Sequence, residues 1–153
     1  MRVYEGLVDE GSDPLVLVNG EKLPSRLDLA NHSPDGLNWG YSGSGPAQLA
    51  LAILADHLQH RPQDKAIARR LQDRRGGSIG RRRDLPVNAT DEEVLGLTAD
   101  DLAVRCHQHF KGAYVAALDM STSWRIDSDG VSEILMRMAN HGLQSRFDRE
   151  EPV

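Results

Sequence analysis

A glycine-rich segment at residues 40–45 is the part of the sequence best suited to binding a small anion. It holds three glycines and two serines and leads directly into Pro46, a residue that favours the first turn of a helix. Free amides at a helix N-terminus attract phosphate or carboxylate, and glycines let such a ligand approach the backbone. The candidate ligand-binding residues are therefore Gly40, Tyr41, Ser42, Gly43, Ser44 and Gly45.

The same segment lacks the side chains needed for nucleotide hydrolysis. Gly40 and Gly45 have the spacing of the P-loop glycines, but Pro46 and Ala47 stand where that motif requires Lys and Ser or Thr. Pro46 also removes one donor amide. The sequence therefore favours a structural loop whose glycines allow tight backbone packing, and an anion site is kept as the alternative.

Histidine, cysteine and serine side chains suggest two further chemistries. His57 with His60, and Cys106 with His109, are each three residues apart on a predicted helix, and four such ligands would satisfy zinc. Cys106, however, lies on an apolar stripe, where cysteine usually acts as a small hydrophobic residue. The pattern around Ser42 also fails the nucleophile-elbow motif of serine hydrolases. We expect no catalytic residue, no metal and no cofactor.

Charge is distributed unevenly along the chain. Residues 61–83, here termed the basic segment, carry nine basic and two acidic side chains, so their balance is +7 and the remainder must carry −12. Arginine pairs bidentately with phosphate, which makes this segment a candidate contact for nucleic acid or for an acidic protein. Aromatic residues are missing from it, so base stacking is not predicted. The candidate contact residues are Arg69, Arg70, Arg74, Arg75, Arg81, Arg82 and Arg83.

The N-terminal forty residues are predicted to form β structure. The apolar run 15–18 ends at Asn19-Gly20, a pair typical of tight hairpin turns. A return strand over 22–29 is expected, although Pro24 restricts it to an edge or a bulge because proline cannot donate to the ladder. Residues 37–39 are expected to form a further short strand, just before the glycine-rich segment.

Two helices have strong signals. Gln48 is the only polar residue between positions 47 and 55, so a helix over 46–60 should be buried, with Leu51, Ile53 and Leu54 in the core. Thr98 and Asp101 form a capping box that opens a second helix. One face of this helix should meet the first helix, and its residues are Leu102, Cys106, Phe110, Ala113 and Ala117.

Three weaker patterns complete the prediction. A capping box at Thr90 and Glu93 indicates a short helix that ends near Gly96. Residues 65–75 are compatible with a helix. Trp124 and Ile126 suggest a short strand, and Ser128 or Asp129 should then cap a last amphipathic helix ending near Gly142, with Val131, Ile134, Leu135 and Met138 on its apolar face.

Length and composition place these elements in one α+β domain. The chain has 153 residues, of which 39% are hydrophobic and 27% charged, with a formal net charge of −5. The predicted architecture is a small N-terminal antiparallel sheet packed on the buried Ala/Leu-rich helix and two further helices. The domain spans 1–153, with a mobile Arg-rich insert at about 61–88 and a frayed tail at about 146–153.

The same composition constrains the expected cellular setting. The chain contains one cysteine, which excludes an intrachain disulfide. It also lacks an apolar run long enough to cross a membrane, and residues 1–11 do not have the basic and apolar regions of a signal peptide. We therefore expect a cytoplasmic protein without membrane association. The oligomeric state is left open.

Residues 38–54, which read NWGYSGSGPAQLALAIL, resemble the signature of an uncharacterised family of small proteins from bacterial, archaeal, phage and plasmid genomes. The similarity extends to His32-Ser33-Pro34, Gly36, Phe110-Lys111, Val115-Ala116, Leu118 and Trp124. The resemblance implies no particular activity or catalytic residue, but it does imply an accessory role on mobile elements. The basic segment departs from the family pattern, so any function it has is specific to this member.

These observations favour a non-enzymatic accessory or binding protein of a mobile genetic element. It would contact protein or nucleic acid through the Arg-rich insert. One alternative is a ligand-binding or enzymatic domain with an anion site at the loop between Gly40 and Gly45. Another is an inhibitor whose acidic surface imitates nucleic acid and engages a basic host protein.

Overall fold

The computed structural model describes residues 1–8, 13–74 and 98–150. Within these ranges an antiparallel sheet and several helices confirm the α+β class. The strands are β1 (Val3–Leu7), β2 (Leu15–Val18), β3 (Glu21–Lys22) and β4 (Trp124–Asp127), in the spatial order β3-β2-β1-β4. The helices are α1 (Ser44–His60), α2 (Lys65–Arg74), α3 (Ala99–Phe110) and α4 (Ser128–Glu150), with a 3₁₀ turn at Pro62–Asp64 and a π-helical turn at Lys111–Val115.

The β2–β3 hairpin turns at the predicted Asn19-Gly20 pair. Both residues have positive φ, 50° and 83°, as a type I′ turn requires. The return strand is only two residues long, so its predicted extent to residue 29 is wrong. Pro24 cannot donate to the ladder, and Arg26 adopts a φ of 58°, which turns the chain away from the sheet. The strand expected at 37–39 is also wrong, because these residues lie in an irregular segment.

Strand β4 forms as predicted and completes the sheet beside β1. Tyr4 lies opposite Ile126 and Gly6 opposite Trp124. The sheet face formed by Tyr4, Val16, Val18 and Trp124 is buried. This face packs on α1 and the helices around it, in a shared hydrophobic cluster that also includes Trp39 and Phe110.

Helix α1 is the central element of the core, as its composition predicts. Leu51, Ile53 and Leu54 are each fully buried, which confirms the expectation for these three residues. The alanines at positions 47, 50, 52 and 55 are buried as well. Such small side chains allow close approach of neighbouring elements, and α3 packs directly against α1.

The capping box of α3 is confirmed, but its predicted inward face is correct over only part of its length. The Asp101 amide donates to Thr98 Oγ1 at 3.0 Å. Leu102, Cys106 and Phe110 are buried, whereas Ala113 and Ala117 are exposed. The π-helical turn after Phe110 has more residues per turn than an α-helix, so it rotates the following positions and buries Val115 instead.

Helix α4 starts as expected but runs further. The Gly130 amide donates to Asp127 Oδ1 at 2.8 Å, so the capping side chain precedes the two predicted ones. The predicted end near Gly142 is wrong, since the helix continues to Glu150. Val131 and Leu135 are fully buried on its inner face.

Several predictions concern parts of the chain outside the described residues. These are the short helix opened by Thr90 and Glu93, the insert beyond residue 74, and the last three residues of the expected frayed tail. The mobility of the insert and the fraying of the tail therefore stay predictions. Among the described helices, none has the length and apolarity needed to span a membrane.

Candidate functional site

Gly40 sits where the glycine-rich segment passes close to the chain after α3. Its φ is +87°, a left-handed conformation that favours glycine. The Gly40 amide donates to the carbonyl oxygen of Val115 at 3.0 Å. A Cβ at this position would come within 2.5 Å of the Met120 backbone nitrogen. The conformation and the close approach together give this glycine a structural role.

Tyr41 folds back over the other two glycines of the segment. A Cβ on Gly43 would lie 2.6 Å from the Tyr41 ring, and a Cβ on Gly45 would lie 2.8 Å from its hydroxyl oxygen. Gly43 has an extended φ of −163°, which any residue can adopt. Glycine suits this position because a side chain would collide with the Tyr41 ring. Ser42 and Ser44 are exposed. These contacts favour the structural interpretation of the segment.

A groove of about 260 Å³ opens beside this segment, and its charge disfavours anions. Asp13 and Asp35 line it together with Tyr41 and Gly45, and no lysine, arginine or histidine of the described residues lines it. Two carboxylates oppose the attraction that a helix N-terminus has for phosphate. The anion site stays a prediction, and the electrostatics of this groove count against it.

Gln48 is the only polar side chain between residues 47 and 55, and it is fully buried in α1. Its Oε1 accepts hydrogen bonds from the amides of His32 and Ser33, at 2.8 and 3.2 Å. Its Nε2 donates to the Ser25 carbonyl oxygen at 2.6 Å. One side chain therefore ties two points of the irregular segment after β3 to the central helix.

Two histidines that the sequence did not pair meet beside this attachment. His32 Nε2 and His107 Nε2 are 2.9 Å apart, and His107 Nδ1 lies 2.7 Å from the Val104 carbonyl oxygen. His107 is only 5% exposed, whereas His32 is half-buried. Burial lowers the pKa of His107, and the nearby His32 lowers it further. A separation of 75 residues gave no local signal for this contact.

The C-terminal end of α1 carries a buried polar cluster around Asp64. His57 Nε2 lies 2.7 Å from Asp64 Oδ2, and the Ser132 hydroxyl donates to the same oxygen. Arg61 donates to the Ser132 hydroxyl oxygen at 2.9 Å and pairs with Asp129 at 3.0 Å. Burial would raise the pKa of Asp64, but hydrogen bonds from His57 and Ser132 hold it below its ordinary value.

This cluster does not have the arrangement of a catalytic triad. Ser132 and His57 both contact Asp64, so the histidine is not placed to take a proton from the serine. His57 is 1% exposed, which leaves no path for a substrate to its ring. The cluster instead fastens the start of α2 to α1 and α4.

A second carboxylate of α1, Asp56, anchors the first strand. Arg2 binds it through two nitrogens, at 2.6 and 3.0 Å, and the Tyr4 hydroxyl donates to it at 2.7 Å. Burial would raise the pKa of Asp56, but the bonds from Arg2 and Tyr4 lower it below its ordinary value. Burial raises the pKa of Tyr4, and Asp56 raises it further.

The predicted zinc-type spacing does not bring its residues together as ligands. His57 contacts Asp64, while Cys106 is fully buried and its thiol donates to the Ala68 carbonyl oxygen at 3.2 Å. Burial raises the pKa of Cys106 to about 12, so it stays a neutral thiol. Within the described ranges, no group of three or more His, Cys, Asp or Glu side chains is arranged to hold a metal ion.

The predicted contact arginines are only partly within the described residues. Arg69, Arg70 and Arg74 lie on α2, and the Arg70 side chain is exposed. Arg74 follows Arg70 by four positions, which is about one turn of the helix. The remaining candidates lie outside the described ranges: Arg75, Arg81, Arg82 and Arg83.

Comparison with known proteins relates part of this structure to a family. No curated protein and no solved structure matches the chain. A family model does match one part of the chain, which runs from strand β1 to just beyond α2 and includes the glycine-rich segment. This match agrees with the resemblance to an uncharacterised family seen at residues 38–54. Residues 4–75 of this chain match the model of a family of unknown function (DUF6166).

Proposed function

We propose that the protein is a cytoplasmic, non-enzymatic binding protein that contacts nucleic acid through the basic segment. The observation that carries this proposal is the concentration of nine basic and only two acidic residues within 61–83, in a chain whose net charge is −5. Such a segment attracts a polyanion locally, although the whole protein is acidic. The resemblance at residues 38–54 supports an accessory role on a mobile genetic element as the setting.

The structure supports a firm attachment for the first part of this segment. Ala68 is 1% exposed on the inner side of α2, and its carbonyl oxygen accepts the bond from the Cys106 thiol. Arg70 is exposed on the same helix. Because α2 is fixed to α3 on one side, its exposed arginine extends from a rigid support, which lowers the entropy cost of binding.

Arg61 is excluded from the proposed contact surface. Its side chain is engaged with Ser132 and Asp129 and is 22% exposed. It therefore serves the cluster around Asp64, and the contact surface begins on α2. This leaves the seven arginines between positions 69 and 83 as the proposed phosphate-binding set.

The described polar clusters favour a binding protein over an enzyme. The histidine–carboxylate pair formed by His57 and Asp64 is buried, and the carboxylate of Asp56 is held by Arg2 and Tyr4. Each carboxylate is held by two neighbouring side chains, Asp64 by His57 and Ser132, and Asp56 by Arg2 and Tyr4. A carboxylate engaged in this way stabilises the fold and is poorly placed to accept a proton from a substrate.

Fluorescence anisotropy with labelled single-stranded and double-stranded oligonucleotides tests this proposal. The test variant replaces Arg81, Arg82 and Arg83 with alanine. A matched control replaces three exposed cations outside the segment, Lys22, Arg125 and Arg137, and so changes the net charge equally. The test variant should bind more weakly, and its slope of log K against log salt should be shallower by about 0.7–0.9 for each phosphate that it no longer neutralises.

The control should keep most of the affinity, and both variants should melt near the parent temperature. Two results would overturn the proposal: no binding by the parent protein at 50 mM salt, or equal losses of affinity in the two variants. Binding to poly-glutamate but not to either oligonucleotide would show instead that the partner is an acidic protein.

A further inference from the structure

The irregular stretch at residues 25–39, here termed the crossing loop, is tied to the helices at separate points. Gln48 in α1 holds it through the backbone of Ser25, His32 and Ser33. At one end, Arg26 forms two hydrogen bonds with Asp100 at the start of α3. Near the middle, His32 meets His107 in the body of α3.

The geometry of the histidine pair places one proton between the two rings. The Nε2 atoms are 2.9 Å apart and the ring centroids 5.0 Å apart, so the rings meet end to end and do not stack. The Val104 carbonyl can only accept, so Nδ1 of His107 carries a hydrogen. Neutral His107 must therefore accept at Nε2, and His32 must donate from its own Nε2.

We propose that His32 and His107 form an acid-released latch for the crossing loop. With no added proton, the His32 N–H donates to the His107 lone pair. A proton that binds His107 has to bind at Nε2, because its Nδ1 already carries a hydrogen. It then puts two N–H groups face to face and breaks the bond between the rings.

The surroundings of His107 make its protonation costly in the closed state. His107 is 5% exposed, and the titratable groups that act on it are His32 from the loop and Lys111 from the turn after α3, both of which disfavour a charged ring. Arg26 is paired with Asp28 and Asp100 at another point of the contact between the crossing loop and α3. Helix α1 contributes the uncharged Gln48. No carboxylate among these groups is free to stabilise a charged His107.

The direction of the pH effect follows from the lowered pKa of His107. In an open state its ring regains an ordinary pKa of about 6.5, so the open state binds the proton more readily. The latch is fully effective above pH 6.5. Its contribution is lost as the pH falls from 6.5 through the lowered pKa of the closed state.

Opening the latch would loosen one wall of a groove between the crossing loop and the sheet. This groove has a volume of about 700 Å³, within the range of small-ligand sites. One wall is supplied by the crossing loop, through Ser25, Arg26, Asp28 and residues 34–37. The other is supplied by the β2–β3 hairpin and the buried Leu23 that follows it. Because His32 lies between the two wall segments, its release removes one of the ties that hold this wall, while the bonds to Gln48 and Asp100 remain.

A shared proton explains the pair better than a shared metal. The two ring nitrogens are directed at each other, whereas metal ligands converge on a third point. The described ranges also contain no group of three or more candidate ligands to complete a coordination sphere.

NMR of the full chain between pH 7.5 and 5.0 tests the latch. Amide protection factors report opening of residues 25–39, with the buried amides of α1 as an internal reference. In the parent protein, the amide protection of residues 25–39 should fall between pH 7.5 and 5.0, while that of α1 should not change. The expected fall is up to about tenfold for each unit that separates the lowered pKa of His107 from its ordinary value. Imidazole nitrogen shifts should show His107 with hydrogen on Nδ1 at pH 7.5.

Two variants separate the latch from general acid effects. His32→Gln keeps an N–H donor but does not titrate, so its loop should lose far less protection at pH 5.0. His60→Gln removes an exposed histidine and should behave like the parent. An equal fall in His32→Gln and the parent, or no fall in the parent, would overturn the latch.

If His32→Gln fails to fold, the parent protein still decides the question. A His107 ring that carries its hydrogen on Nε2 at pH 7.5, or that titrates at or above the ordinary value, would rule the latch out. A lowered His107 pKa together with selective loss of loop protection would support it.

Discussion

The two ends of helix α1 are built in opposite ways. At the N-terminal end, the backbone of Gly40 and the space beneath Tyr41 decide the structure, and the serines are exposed. At the C-terminal end, side chains decide it, because Asp64 gathers hydrogen bonds from His57 and Ser132 in a buried site. The N-terminal end, which has the glycine-rich motif, is held by packing. The C-terminal end, which has no such motif, holds the buried polar cluster.

This contrast shows why a cluster of motif residues in the sequence is a poor guide to where polar side chains meet in the folded chain. Glycines cluster where two backbones approach, as Gly40 does beside Met120. Polar side chains that are far apart in sequence form a cluster only through the fold, as Asp64 and Ser132 do with a separation of 68 residues. Three substitutions along α1 and its ends test the comparison.

The largest effect is expected at the C-terminal end. Asp64→Ala should lower the free energy of unfolding by about 3–5 kcal/mol, because it leaves the buried His57 and the half-buried Ser132 without their acceptor. Asp129→Ala is the control, since that carboxylate is 66% exposed and its pair with Arg61 should contribute at most about 1 kcal/mol. Urea unfolding measures both variants, and equal small losses would refute a structural role for this cluster.

The same pair of proteins gives a pH test. The pKa of Asp64 is lowered in the folded state, so its contribution is present above about pH 3.9 and is lost as the pH falls through the folded-state value. The stability difference between the parent and Asp64→Ala should therefore shrink in acid. A difference that grows as the pH falls would contradict the assignment.

The middle of α1 provides a reference that depends on neither end. Leu54→Ala should cost about 2–5 kcal/mol, because it removes fully buried apolar surface and leaves a cavity. Leu27→Ala, at a side chain that is 38% exposed, should cost much less. Comparing the two urea midpoints checks whether α1 is the central core helix, and similar losses would show that it is not.

The smallest effect is expected at the N-terminal end. Gly40→Ala should cost about 1–3 kcal/mol, because the alanine would occupy a left-handed conformation and approach the Met120 backbone. Ser44→Ala should change the stability by less than about 0.5 kcal/mol, since that side chain is exposed. Thermal unfolding resolves this difference. A Ser44 effect larger than the Gly40 effect would reverse the comparison between the ends.

Local patterns predicted the elements that depend on neighbouring residues. The apolar run into α1, the Asn19-Gly20 turn and the Thr98 capping box each act over a few positions, and all three are present. The extent of β3 was wrong because the pattern does not reveal the left-handed turn at Arg26. The inward face beyond Phe110 was partly wrong because a π-helical turn has no simple sequence signal.

The candidate site was harder to predict than the fold. The segment 40–45 was found because its glycines are close together in sequence, but its packing under Tyr41 depends on side-chain orientation. The pair of His32 and His107 arises from tertiary packing alone. Gln48 did have a signal, since a single polar residue in a buried apolar helix must find buried partners, and it contacts the crossing loop.

The pairing of β4 with β1 has a consequence for the order in which the protein folds. Tyr4 and Ile126 are neighbours in the sheet, so the strand ladder closes over more than 120 residues and loop-closure entropy slows its formation. At synthesis rates of about 5–20 residues per second, roughly 3–10 s separate residue 75 from residue 127 on the ribosome. The apolar α1 lacks α3 in the first part of this interval and lacks β4 throughout it, so a nascent chain exposes surface that a chaperone can bind.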